Sequence, residues 1–292
     1  MIIDAHAHLD ERILSVDQIL ERMTRHRVDK VALIPFMNDP LPETPKALLA
    51  FMRTLMDSGA HRLAYAIHDK FYTAEGDLKL NGRVYKIFAK PDNALVAKCI
   101  QDHPDKFLGW VFLNPRTTGD PLEELERYRH VKGFIGVKLH PHWHRYELSR
   151  ALPIARECER LGWPVLIHLG IGEAGKWQAL AAACPRLRMI FAHAGFPTYS
   201  REWNAMRDHK NVWVDVSSAY ISESLVRRAV KALGPERVLY GTDAPYGFHD
   251  RDGLHDYGAI RGWVERLPLR SGETEAILGK NISTLLDLHA NP

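Results

Sequence analysis

The sequence is poor in cysteine and has no long apolar run. Its 292 residues include only three cysteines, Cys99, Cys158 and Cys184, and no two of them form a Cys-x-x-Cys pair. An odd number of widely spaced cysteines argues against a disulfide framework and favours a reducing compartment. No stretch approaches the roughly 18 apolar residues that a membrane-spanning helix needs. A disulfide-stabilised domain and a membrane-spanning protein are therefore not expected.

The chain also lacks a large excess of positive or negative charge. The chain has 39 basic and 36 acidic residues, a net charge of +3. Proteins that bind nucleic acid or a membrane surface usually carry clustered Lys and Arg, so neither partner is predicted. The chain opens at Met1 without the basic and apolar segments of a signal peptide, which predicts a cytoplasmic protein. With 46% hydrophobic and 26% charged residues, it has the composition of a folded globular chain rather than a disordered one.

Short apolar runs alternate with amphipathic helical patterns along the chain. Most of these runs are apolar throughout, as in parallel strands that are covered on both faces. The predicted strands are Ile2–His6, Lys30–Pro35, Phe107–Leu113, Phe134–His140, Val165–Leu169, Arg188–His193, Val212–Ser217 and Val238–Asp243. The predicted helices include Val16–His26, Leu122–Arg129, Leu148–Leu161, Leu225–Leu233 and Leu254–Leu267. Eight such units predict a single-domain (β/α)8 barrel over residues 1–292, although a doubly wound open sheet would produce the same alternation.

Residues 36–106 interrupt this alternation of strands and helices, because a usual crossover between parallel strands is much shorter. Within this segment, helices are predicted over Pro42–Ser58 and Asp92–His103. Asn81-Gly82 is a strong hairpin signal, and it predicts a β-hairpin within Phe71–Ala89 that is a candidate lid. His61–Ile67 is either a ninth strand or part of this insertion.

Histidine is abundant, with 16 residues, and several of them fall at predicted strand ends. His6 and His8 are two residues apart on the first strand, so both side chains point to the same face. His168 ends the fifth strand, His193 the sixth and Asp243 the eighth. Because the carboxyl ends of barrel strands meet at one mouth, these side chains form a convergent set of nitrogen and oxygen ligands. Such a set suits Zn²⁺, with Mn²⁺, iron or nickel as competitors.

Basic side chains near the same strand ends predict an anionic substrate. Lys138 lies within an apolar strand, where an amine must be paired or used; it is expected in the site, with a buried ion pair to Asp4 as the alternative. His140 ends the same strand. Arg116 and Arg145 lie on loops after the third and fourth strands. We predict that Lys138, His140, Arg116 and Arg145 bind a substrate carboxylate.

A glycine-rich stretch, Gly170 to Gly175, matches the pattern G-x-G-x-x-G of dinucleotide-binding proteins. It follows the fifth strand rather than the first, and the acidic residue that this reading requires about 20 positions later is missing. We therefore reject a nicotinamide cofactor.

Taken together, these motifs resemble the amidohydrolase superfamily, and most closely its amidohydrolase-related branch of hydrolases and decarboxylases. The resemblance runs nearly end to end. It is carried by DAHAH (4–8), GVKLHP (136–141), IHLG (167–170), AHAG (192–195), YGTDAP (240–245) and GKNISTLL (279–286).

The resemblance implies a set of roles for these residues. By this resemblance the metal would be held by His6, His8, His168 and Asp243. His193 would be a general acid or base in members with one metal, or a ligand of the second metal in members with two. Lys138 would bridge two metals if its amine were carboxylated.

The function expected first is a metal-dependent hydrolase that attacks an ester, lactone or amide of a small anionic substrate. A bound ion lowers the pKa of water toward about 7, Asp243 accepts the proton, and His193 assists the leaving group. The alternative is a metal-dependent decarboxylase of an aromatic or dienoic acid, and a non-catalytic barrel ranks third. The expected metal is Zn²⁺, one ion or two, and the apolar outer helices are compatible with a homo-oligomer.

Overall fold

Eight parallel strands form the centre of the fold in the computed structural model, which describes residues 1–42 and 44–286. In chain order the strands are β1 (Ile3–Leu9), β2 (Lys30–Pro35), β3 (Leu78–Leu80), β4 (Arg83–Tyr85), β5 (Phe107–Phe112), β6 (Phe134–Leu139), β7 (Val165–Ile167), β8 (Met189–Phe191), β9 (Val212–Asp215) and β10 (Val238–Leu239). Their order in the parallel sheet is β1-β2-β5-β6-β7-β8-β9-β10, while β3 and β4 form a separate antiparallel hairpin.

The parallel sheet closes on itself between its first and last strands. The Ala5 amide donates to the Tyr240 carbonyl at 3.0 Å, and the Asp243 amide donates to the His6 carbonyl at 2.7 Å. A parallel bridge also joins Ala7 and Ala244. The expected (β/α)8 barrel is therefore confirmed, and the open sheet that the same alternation allowed is wrong.

Helices follow the strands, and most of them cover the outside of the barrel. They are α1 (Val16–Arg25), α2 (Lys46–Met56), α3 (His61–Asp69), α4 (Asn93–Asp102), α5 (Pro121–Tyr128), α6 (Pro141–His144), α7 (Leu152–Leu161), α8 (Gln178–Ala183), α9 (Trp203–Asp208), α10 (Glu223–Leu233), α11 (Gly258–Glu265), α12 (Glu273–Glu275) and α13 (Asn281–Leu285). Side chains cap several of them as their residue types predict: Ser15 accepts from the Gln18 amide, Asp120 from Leu122 and Ser222 from Leu225.

Several predicted boundaries differ from the structure. Residues 61–67 form helix α3 rather than a ninth strand; a short apolar run fits either element, and here it packs against α2. The segment 148–161 starts with one 3-10 turn before α7, and α11 begins at Gly258 rather than at Leu254.

The barrel interior is filled by alternate strand residues, with Trp110 among the largest. The Trp110 indole is fully buried and donates to the Ala5 carbonyl at 3.0 Å. Ile3, Ile34 and Ile190 belong to the same interior cluster, which lies apart from the larger layer between strands and helices. This packed interior is a rigid base for the side chains at the mouth.

Gly136 allows the close approach of two strands around this interior. A methyl group at that position would lie 2.4 Å from the Pro164 carbonyl oxygen and 2.7 Å from the Trp110 ring. We expect Gly136→Ala to cost about 1–3 kcal/mol of unfolding free energy because the backbone must shift. Thermal unfolding should therefore begin several degrees lower. Gly59→Ala is the matched control, since a methyl group at Gly59 meets nothing within 4 Å; equal Tm values for the two variants would contradict the expectation.

The insertion between β2 and β5 spans the barrel mouth. On one side, the Arg53 guanidinium of α2 donates to the Tyr220 carbonyl at 3.0 Å, beyond β9. On the other side, the Phe88 amide donates to the Met37 carbonyl at 2.8 Å, beyond β2. The Asn81-Gly82 turn joins β3 to β4 as predicted. Within the described ranges, no helix has both the length and the hydropathy of a membrane span.

Candidate metal centre and active site

Two histidines and one aspartate converge at the barrel mouth. His6 and His8 lie on β1, and Asp243 follows β10. The Asp243 Oδ1 atom lies 3.4 Å from Nε2 of His8 and 3.7 Å from Nε2 of His6. The backbone of Asp243 has a φ of +63°, a strained conformation for a residue with a side chain, which aims the carboxylate at the two imidazoles.

The protonation states of this group suit a divalent metal ion. Burial lowers the pKa of His6, with the Lys138 amine as the next cause, and burial also lowers the pKa of His8, so both imidazoles are neutral near pH 7. Burial alone would raise the pKa of Asp243, but the imidazoles of His193, His6 and His8 outweigh it and keep the carboxylate ionised. Neutral imidazoles and an ionised carboxylate are the forms that bind metal.

Asp215 orients one of these candidate ligands. Its Oδ2 atom lies 2.9 Å from Nδ1 of His6, so Nε2 of that ring is left to face Asp243. This carboxylate–imidazole arrangement is how proteins fix the tautomer of a metal-binding histidine. The residues present therefore fit a divalent ion held by His6, His8 and Asp243.

His6, His193 and Asp215 form a second close group, but its atoms are already bonded to one another. The Ser217 hydroxyl lies 2.8 Å from Nδ1 of His193 and 3.1 Å from Nδ1 of His6, and it donates to Asp215. This network holds the His193 ring through Nδ1 and leaves Nε2 as its other polar atom. Burial lowers the pKa of His193 to about 4, so the ring is neutral.

His168 lies beside the ring of His193, which in turn stacks on His6. Its Nδ1 is 3.1 Å from the Leu169 carbonyl, and its ring centre is 4.8 Å from that of His193. The close groups found among the described residues do not include it. His140 stacks on His168 at 4.3 Å, and its Nδ1 accepts from the Trp143 amide, so His140 supports this ring.

Lys138 is fully buried next to His6. Its Nζ lies 3.3 Å from Nε2 of His6, and burial lowers the pKa of the amine to about 8. The ion pair with Asp4 that the sequence offered as an alternative is not formed in the described structure. Instead, Asp4 accepts hydrogen bonds from the hydroxyl and amide of Thr242.

The two predicted arginines lie at the rim of the site. Arg116 donates to the carbonyls of His144 at 2.9 Å and Arg145 at 3.3 Å, so it braces the loop after β6. The Arg145 guanidinium lies 4.9 Å above the Tyr72 ring of the insertion. Arg145 lines two cavities at the mouth, of about 450 and 240 Å³, and Arg116 lines the first.

Sequence reasoning missed Asp215, Ser217 and His68 as members of the site. Asp215 ends β9, so the rule that found His168 and Asp243 at strand ends could also have found it. His68 lies on α3 of the insertion, where nothing local marks it.

The glycine-rich stretch after β7 has a packing explanation. A methyl group on Gly175 would lie 2.4 Å from the Gly170 carbonyl oxygen, and one on Gly170 would lie 3.3 Å from the His142 backbone. The glycines allow a tight turn against the short helix α6.

A third acidic group, around His26 on the outside of the barrel, is already neutralised. Asp250 in this group accepts from the Arg22 guanidinium at 3.0 Å. The group at the mouth is therefore the better metal candidate.

Comparison with known proteins assigns the class. The family model described as amidohydrolase matches residues 3–288. The chain therefore belongs to the amidohydrolase family, as its motifs suggested, and it is an enzyme of that family.

Two characterised relatives are more specific. The chain is 25% identical over 228 residues to gamma-resorcylate decarboxylase of Rhodococcus jostii (strain RHA1), a match that covers 56% of this chain and 68% of the relative. It is 26% identical over 218 residues to 2-amino-3-carboxymuconate-6-semialdehyde decarboxylase of Dictyostelium discoideum, covering 56% of this chain and 60% of that protein. Both relatives are decarboxylases, which favours the decarboxylase alternative over the hydrolase that was expected first.

The solved structure of 2,6-dihydroxybenzoate decarboxylase from Rhizobium has a similar fold. The TM-score is 0.63 at 16% identity, with 99% of this chain and 98% of that chain covered. At this identity the likeness concerns the fold alone.

Proposed function

We propose that this protein is a metal-dependent decarboxylase that removes CO₂ from a small aromatic or dienoic carboxylic acid. The observation that carries the proposal is the difference between the two groups at the mouth. His6, His8 and Asp243 bring two ring nitrogens and a carboxylate oxygen close enough to share one ion, whereas His193 is held by Ser217 and keeps Nε2 for proton transfer. One metal and a nearby proton carrier are what this reaction needs. The two decarboxylase relatives support the same conclusion.

In this proposal, His6, His8 and Asp243 hold the metal, with His168 at the end of β7 as a further ligand. Zn²⁺ fits this donor set, and Mn²⁺ fits it as well. When bound, a divalent ion supplies a positive charge that holds substrate oxygens and stabilises negative charge in the transition state.

The protein side chains then move the proton. The carbon–carbon bond to the carboxylate breaks, its electron pair stays on the substrate carbon, and CO₂ leaves. That carbon takes up one proton, whose delivery we assign to Nε2 of His193. The resting ring is neutral and donates through Nδ1 to Ser217, so Nε2 first takes this proton from solvent water and then passes it to the carbon. The Ser217–Asp215 network holds the ring in place during this transfer. Lys138 and His140 line the base of the site, and Arg145 and Arg116 attract the anionic substrate at its rim.

The metal content separates this proposal from a two-metal site. We expect about one equivalent of divalent metal per chain in protein purified without added metal or chelator, measured by elemental analysis. The physical reason is that Nδ1 of His6, Nδ1 of His193 and the Asp215 carboxylate already form hydrogen bonds with one another or with Ser217. Two equivalents, together with a carboxylated Lys138 found by mass spectrometry under native conditions, would contradict the one-metal proposal.

The reaction products test the function itself. We expect CO₂ release in a one-to-one ratio with substrate loss, using a panel of hydroxybenzoates and dienoic acids. In D₂O, the product should carry one deuterium at the carbon that lost the carboxylate. A parallel panel of esters, lactones and amides is the comparison. Hydrolysis of these compounds without CO₂ release from any acid would reject the decarboxylase in favour of the hydrolase.

A further inference from the structure

The insertion brings a histidine to the barrel mouth. His68, on α3, places its Nε2 3.0 Å from Nε2 of His142 on the short helix α6, which follows β6. The Tyr72 hydroxyl lies 3.2 Å from the same nitrogen of His68. This contact joins residues 74 positions apart, so only the docked insertion creates it.

His142 in turn lies against the proposed active site. It is 8% exposed, and its ring stacks on His168 with a centre-to-centre distance of 4.8 Å. Phe196 packs edge-on against the same ring at 5.4 Å. The close turn at Gly170 leaves room for the His142 backbone. The ring is therefore fixed between a proposed metal ligand and the insertion.

One polar atom of His142 is left for a ligand. Nε2 is engaged by His68, while Nδ1 is buried and has no hydrogen-bond partner among the described residues. Burial keeps the pKa of this imidazole well below its usual range, so the ring is neutral. A buried polar atom without a partner is costly, and a substrate hydroxyl can satisfy it as donor or acceptor.

A cavity of suitable size lies at this pair. Its volume is about 240 Å³, slightly below the usual range for ligand sites, which suits a small ring. Its lining combines the two imidazoles with apolar and charged side chains. The residues that line it include His68, His142, Arg145 and Tyr146.

We propose that His142 recognises a ring hydroxyl of the substrate and that His68 is the positioning residue that holds His142 for this contact. The insertion thereby sets substrate specificity rather than only covering the mouth. The inference rests on the proposed function in one respect only, which is the class of ligand, a small aromatic carboxylate.

The test compares two carboxylates that differ in ring hydroxyls, 2,6-dihydroxybenzoate and benzoate. Their dissociation constants are measured by calorimetry with metal-loaded wild-type protein and with His68→Ala. We expect wild type to prefer the hydroxylated acid. His68→Ala should weaken binding of 2,6-dihydroxybenzoate about five- to tenfold, the worth of one hydrogen bond, and leave benzoate within about twofold.

Further variants distinguish positioning from a general structural effect. His68→Gln, whose amide reaches the same position, should restore most of the lost affinity. In a His142→Ala background, His68→Ala should have little additional effect, as expected for two residues that act as one unit. His61→Ala is the matched control on the same helix, because its ring bonds the Ser58 carbonyl instead.

Each outcome bears on the inference. Equal weakening of both acids, unchanged binding in His68→Ala, or a wild type that binds neither acid would overturn it. Loss of metal from His68→Ala would also overturn it, since the effect would then be structural. If the hydroxylated acid binds with the expected pattern but no acid in the panel releases CO₂, the inference stands and the decarboxylase proposal fails.

Discussion

Asp243→Asn is expected to lower kcat/KM for CO₂ release by at least about 10³-fold, equivalent to about 4 kcal/mol of transition-state free energy. Asp243 is the carboxylate of the proposed ligand group of His6, His8 and Asp243, and it lies within 3.7 Å of both histidines. A neutral amide in its place removes the negative charge that offsets a divalent ion. Metal bound after dialysis should therefore fall to a small fraction of the wild-type amount.

The control for this variant is Asp208→Asn, on the exposed face of α9, which should keep wild-type activity and metal. Both proteins are compared by steady-state kinetics, elemental analysis and thermal unfolding. If Asp243→Asn folded normally, kept its full metal content and retained activity within about threefold, the proposed ligand group would be wrong.

His193→Gln is expected to lower kcat by about 10² to 10⁴-fold while the protein keeps its metal and KM changes by less than about threefold. This is the usual range for loss of a general acid or base. Ser217 holds His193 through Nδ1, so Nε2 carries the proton to the substrate carbon and the ring is not needed to hold the ion.

His130→Gln, an exposed histidine beyond α5, is the matched control. Metal analysis gives the decisive comparison. If His193→Gln lost half of the metal from a protein that binds two equivalents, His193 would be a ligand of a second ion. Activity within threefold of wild type would remove it from the reaction altogether.

The architecture and the grouping of the main candidate ligands could be predicted from residue order. Apolar runs with helical patterns between them indicated a barrel, and polar residues that directly follow such runs must come together where parallel strands end. His6, His8 and Asp243 were identified in this way and lie together in the structure. Caps such as Ser15 were also predictable, because a capping side chain bonds an amide only two or three residues away.

Other features depend on contacts between distant segments. Residues 61–67 are compatible with a strand or a helix, and packing against α2 decides for the helix. The pairing of His6 with Asp215 joins residues 209 positions apart, and that of His68 with His142 spans 74. A local sequence pattern carries no information about such pairs. Their hydrogen bonds depend on burial and on side-chain positions that exist only in the folded barrel. Lys138 shows the same division. Its position in an apolar strand was enough to predict that it belongs to the site. Only the closed barrel determines that its amine lies beside His6 and not beside Asp4.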